Sequence, residues 1–66
     1  MPNLIEGIQS QQARCRELLE QYKAIGPVGA FGHAMITRDI ENADRAIASG
    51  DVIAMLAAFK ALEGCK

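Results

Sequence analysis

Eight consecutive residues near the C-terminus, Val52-Ile-Ala-Met-Leu-Ala-Ala-Phe59, carry no charge and no hydrogen-bonding side chain, in a chain of only 66 residues. As a helix, such a segment is apolar around its whole circumference and calls for cover on every side. A chain this short cannot wrap one of its own helices, because small domains bury only about 60% of their unfolded surface. The simplest resolution is that a second copy, or another protein, covers what the chain leaves open.

Composition points the same way. Half of the residues are hydrophobic, but many are alanine, and Phe31, Phe59 and Tyr22 are the only aromatics. One domain over residues 1–66 with one small core is all this allows. Such a core is marginal against a chain entropy of about 1.5 kcal/mol per ordered residue. Disulfides, metals or self-association can make up the difference. Two cysteines and one histidine do not supply the four close ligands of a structural zinc site, so no metal or other cofactor is expected. Self-association remains, as a homodimer or a larger assembly.

The net charge is −1, with acids and bases interspersed. No basic stripe neutralises phosphates, which argues against autonomous nucleic-acid binding. No charged segment followed by an apolar run opens the chain, so nothing reads as a secretory signal. The longest apolar stretch falls far short of the ~20 residues that span a bilayer, so no membrane role is expected. A cytoplasmic protein with reduced Cys15 and Cys65 is the expectation.

Three helices are predicted, over about 3–25, 30–48 and 52–63, and no strand, because nothing alternates with a period of two. Asn3 and Glu6 have capping-box spacing, with Pro2 just ahead. The first stripe runs Leu4, Ile8, Cys15, Leu18, Tyr22 and Ile25, broadened by Ile5 and Leu19. Gln11 stands at a seam position, either as a solvent-touched residue or as a polar group that sets helix register. Gly26-Pro27-Val28-Gly29 ends this helix, since Gly26 suits a left-handed cap and Pro27 cannot continue the ladder. The second helix turns Gly29, His33, Ile36, Ile40, Ala43 and Ile47 inward, with Arg38, Glu41, Asp44 and Arg45 outward and Glu41–Arg45 spaced as an ion pair. Gly50 and Asp51 then cap the second and third helices. In the third, Val52, Met55, Leu56, Phe59 and Leu62 share one side, and Ala54, Ala57, Ala58, Ala61 and Cys65 the other. The short connections make successive helices antiparallel neighbours. The fold class is therefore all-α: a three-helix up-down-up bundle, or a helical hairpin plus a third helix, that self-associates.

Several constellations admit two readings. Gly29 and Gly32, with His33 one turn into a helix, are placed to hold an anion on backbone N–H groups, but no Lys of a phosphate loop accompanies them. The plainer reading is steric: glycines there let the second helix approach Leu18 and Tyr22. His33 has no nucleophile or acid beside it by local spacing, so no catalytic role and no enzyme is inferred. Phe31 and Met35 lie off the inward stripe, either as ordinary exposed residues or as an anchor for a partner. The alanine face of Ala54, Ala57, Ala58 and Ala61 either reflects helix propensity or, lacking Lys and Glu, forms a contact surface. Cys65 falls within about 5 Å of Cys15 in height, at 1.5 Å per residue. It points toward the alanine side, however, so no disulfide between them is expected.

The run Ile25-Gly-Pro-Val-Gly-Ala-Phe-Gly-His-Ala-Met-Ile36, followed by Ala48-Ser-Gly-Asp-Val-Ile-Ala-Met55, resembles small accessory proteins of temperate phages and prophages. The likeness covers roughly the last two thirds of the chain. It implies a protein that modulates host machinery by binding and inhibiting a host factor, and it transfers no individual functional residue. The residues and the resemblance together read as a non-enzymatic interaction module with a protein partner in the host. The second reading is an oligomeric protein that binds or sequesters an anionic, nucleotide-like ligand at Gly29, Gly32 and His33.

Overall fold

The computed structural model describes residues 3–65; the Pro2 position ahead of the first cap lies outside them. Helix α1 spans Leu4–Ala24, a short 3-10 turn Gly26–Gly29, α2 Ala30–Ser49 and α3 Val52–Glu63. Each boundary has a local cause. The Asn3 side chain accepts the Glu6 N–H at 2.8 Å, satisfying one of the donors a helix start leaves open. Gly26 takes a φ of 74° after α1 and Gly50 a φ of 71° after α2, a region that glycine enters without steric cost. Asp51 then accepts from the N–H groups of Ile53 and Ala54 at 3.0 and 3.4 Å. These ends fall within a residue or so of the expected ones.

The three helices pack on one another pairwise, which makes the fold an all-α bundle. Gly7 lies against Phe59, and Arg14 against Cys65, so α1 and α3 ascend together with α2 antiparallel to both. Ile8 and Cys15 of α1, Ile36, Ile40, Ala43 and Ala46 of α2, and Met55, Ala58, Leu62 and Cys65 form the core. Leu4, Leu18, Leu19, Tyr22, Ile47 and Phe59 pack around it. No helix among the described residues is long and apolar enough to cross a membrane.

Ile5 and Ile25, expected on the inward stripe of α1, are exposed at 39% and 57%, and the structure departs from the sequence expectations in four further places. The polar residue in the α1 seam is Gln12, 3% exposed, rather than Gln11. Its amide donates to the Ile40 carbonyl at 3.1 Å and to Asp44 Oδ1 at 2.8 Å, whereas half-buried Gln11 accepts from Arg14 Nε at 2.9 Å. Second, Arg45 donates to Asn42 Oδ1 instead of pairing with Glu41. Third, α3 is rolled about its axis. Met55, Ala58, Leu62 and Cys65 face in, and Val52 and Leu56, expected beside Met55, face out. The neighbours dictate that roll: Phe59 seats over Gly7, where an added Cβ would come within 3.3 Å of its ring, and this turns the alanine side toward α2. Fourth, the same roll carries Cys65 into the core, 8% exposed, instead of away from Cys15.

Candidate interaction surface

The outward meridian of α3 carries Val52, Ile53 and Leu56, all more than half exposed, with Ile53 at 79%. Residues four apart and three apart are neighbours on a helix, so the three side chains form one continuous patch flanked by exposed Ala57. Contiguous apolar patches on a monomer, even of a few hundred Å², are often functional. Sequence reasoning placed Val52 and Leu56 on one side of the helix with Met55, Phe59 and Leu62, and left Ile53 unplaced. The missed signal was Lys60, seven residues after Ile53, because an ammonium that must reach water marks the meridian that faces out.

The alanine residues singled out from the sequence divide. Ala58 belongs to the core, Ala54 is half-buried, and Ala57 and Ala61 are exposed. All four line one wall of a groove of about 500 Å³, opposite Asp39, Asn42 and Arg45 of α2. The alanine side therefore faces the protein's own second helix across an open groove, and the outermost apolar surface lies a quarter turn away. Phe31 is 78% exposed and Val28 88%, with Ile25 also exposed, so these three make a second apolar cluster around the 3-10 turn. Met35 is half-buried one turn further along α2. The two clusters sit at opposite ends of α2, about 30 Å apart for a helix of this length.

Gly29, Gly32 and His33 share the start of α2, but close packing occupies the space over the glycines. A Cβ on Gly32 would lie 2.6 Å from Tyr22 Cε1, and one on Gly29 would press on Ile25 Cγ1 at 2.8 Å and on the Tyr22 carbonyl. Half-buried His33 borders a surface depression of about 490 Å³ with Lys23 and Tyr22. The two glycines differ in what must yield. At Gly32 the obstacle is the Tyr22 side chain alone, and added helix propensity offsets about 1 kcal/mol, so Gly32→Ala costs about 1–2 kcal/mol. At Gly29 the obstacle includes backbone, and Gly29→Ala costs about 2–3 kcal/mol, the range of an overpacked interior. Urea melts of the two variants check this order, and equal costs would contradict it.

Among the described residues Thr37 Oγ1 is buried with no hydrogen-bond partner; the other polar groups around the end of α3 are engaged with the fold itself. Arg14 donates through Nη1 to the Cys65 carbonyl at 2.9 Å and through Nη2 to the Leu62 carbonyl at 2.6 Å, neutralising the carbonyl end of α3 as a cation there should. Cys15 Sγ donates to the same Leu62 carbonyl at 3.6 Å. Cys65 Sγ lies 3.5 Å from Asp39 Oδ2 and 3.6 Å from the Ala61 carbonyl. Burial, together with Cys15 and the Asp39 carboxylate beside it, pushes the Cys65 thiol up to about 12, where it is a poor nucleophile at neutral pH. Among the described residues, no group of three His, Cys, Asp or Glu side chains is placed to hold a metal ion. Comparison with protein-family models, with curated proteins and with solved structures finds no match.

Proposed function

We propose that this chain is a non-enzymatic helical interaction module, which self-associates through the outer face of α3 and acts by docking on another protein. The observation that supports it is the Val52–Ile53–Leu56 patch, where an isoleucine four-fifths exposed lies on a helix with almost no polar residue. A second copy is the occupant this face suits, because a two-fold contact sets the same apolar patch against itself. In an antiparallel crossing near Leu56, Lys60 of one copy approaches the N-terminal Asp51 of the other, so opposite charges flank the apolar centre. The Ile25–Val28–Phe31 cluster at the far end of α2 stays open for a different protein, in keeping with the aromatic anchors common in interface centres. In this reading the partner is a host factor and the module is its modulator or inhibitor, in the cytoplasm, as in the phage accessory proteins that the sequence resembles.

The patch is small beside the ~800 Å² that each partner contributes to a standard stable interface, so the self-association is weak. Light scattering across a dilution series from about 1 to 100 μM should show a dimer forming within that range. Ile53→Glu combined with Leu56→Glu should leave the helical circular dichroism intact and give a monomer throughout. A parent chain that stays monomeric at the highest concentration would refute the self-association. For the docking end, Val28→Ser with Phe31→Ser should abolish capture of the same host protein that the parent captures. Equal capture by the two would refute that assignment.

A further inference from the structure

The end of α3 brings the chain's two cysteines together. Cys15 sits midway along α1 and is fully buried, while Cys65 follows α3 and its capping Gly64. Their sulfurs bind carbonyls of successive residues in one turn, Leu62 for Cys15 and Ala61 for Cys65. Cys15 is near enough to Cys65 to help hold the proton on its thiol, and both side chains belong to the same buried core. Arg14, adjacent to Cys15 in sequence, grips the Leu62 and Cys65 carbonyls from the other side, so the segment bearing Cys65 is held in register with α1. The chain has two cysteines in all, and no alternative pairing within one molecule competes.

We propose that Cys15 and Cys65 are a latent disulfide site, which closes when the chain meets a low-molecular-weight disulfide such as oxidised glutathione and tethers the end of α3 to the middle of α1. One protein thiolate attacks a sulfur of the oxidant and releases a first glutathione. The second protein thiolate attacks the resulting mixed disulfide and expels a second. Two electrons pass from the protein to the oxidant, and the two thiol protons end on the two glutathiones. In reducing surroundings both remain thiols, as they are in the structure. The folded state slows the reaction without opposing its product, because Cys65 holds its proton tightly while packed against Asp39 and Cys15. Exchange therefore proceeds during folding or when the last turn of α3 lifts from Arg14.

The test is refolding from denaturant in a buffer of reduced and oxidised glutathione, quenched with acid and read by intact mass without reductant. A monomer about 2 Da below the reduced mass is expected, with a melting midpoint raised by roughly 10–20 °C through closure of a long loop. Reductant should reverse both changes. Cys65→Ser, whose hydroxyl can keep the contacts to Asp39 and the Ala61 carbonyl, should retain the fold and show neither. Cys15→Ser should also show neither, and since it cuts into the core its folding is checked by circular dichroism. A parent chain that finishes with two free thiols, two glutathione adducts or a covalent dimer would overturn the proposal.

Discussion

Leu62→Ala lowers the melting midpoint by roughly 10–20 °C and leaves much of the population unfolded at 37 °C. Leu62 is among the largest side chains that this fold buries completely, with Ile8 and Cys15. It lies in α3 where that helix meets the Cys15 turn of α1. Truncating a buried leucine removes its transfer free energy and leaves a cavity that close-packed neighbours fill only in part, at a cost of about 3–5 kcal/mol. A domain of this size has roughly 3–10 kcal/mol in total, so one substitution takes most of it. Thermal denaturation followed by circular dichroism checks the value. Val52→Ala, on the exposed side of the same helix, is the control and should move the midpoint by only a few degrees. Comparable shifts for the two would mean that α3 does not turn Leu62 inward and Val52 outward.

Helix limits were legible in the sequence because their causes are local. Asn3, Gly26-Pro27 and Gly50-Asp51 each act on the residues next to them, and the structure uses them at those positions. The inward side of α2 was also legible, since Ile36, Ile40 and Ala43 contrast with charged residues on the opposite side. The roll of α3 was not, and the reason is physical. A helix apolar all round has no preferred direction of its own, so its orientation depends on shapes supplied by others, here the gap at Gly7 that admits Phe59. That single undetermined angle accounts for the inversion of Val52 and Leu56, for the placing of Ala58 in the core, and for the meeting of Cys15 and Cys65. The exposure of Phe31 was readable because α2 has contrast; that of Ile53 was readable only through Lys60.

The Gln11 and Gln12 pair shows the same limit within α1, and it leads to the second large effect. Adjacent residues on a helix differ by about 100° in direction, and a seam passing near both leaves chemistry to choose between them. Gln12 has partners that Gln11 lacks, the Ile40 carbonyl and the Asp44 carboxylate. Gln12→Ala should cost about 2–3 kcal/mol, by removing two hydrogen bonds and most of a buried side chain. The Ile40 carbonyl keeps its place in α2 and Asp44 is exposed, so neither acceptor is stranded without an alternative. Gln12→Leu, which restores the volume, should then recover most of the stability or exceed the parent, as apolar replacement of buried polar groups often does. What it should not recover is a unique alignment of α1 on α2. Ile8, Cys15 and Leu19 offer apolar contacts that tolerate sliding, whereas the Gln12 amide finds its two acceptors at one register only, the use best attested for buried polar groups. Broadened amide resonances in Gln12→Leu, at equal or greater melting temperature, are the expected signature. A spectrum as sharp as the parent's would show that side-chain packing alone aligns the two helices.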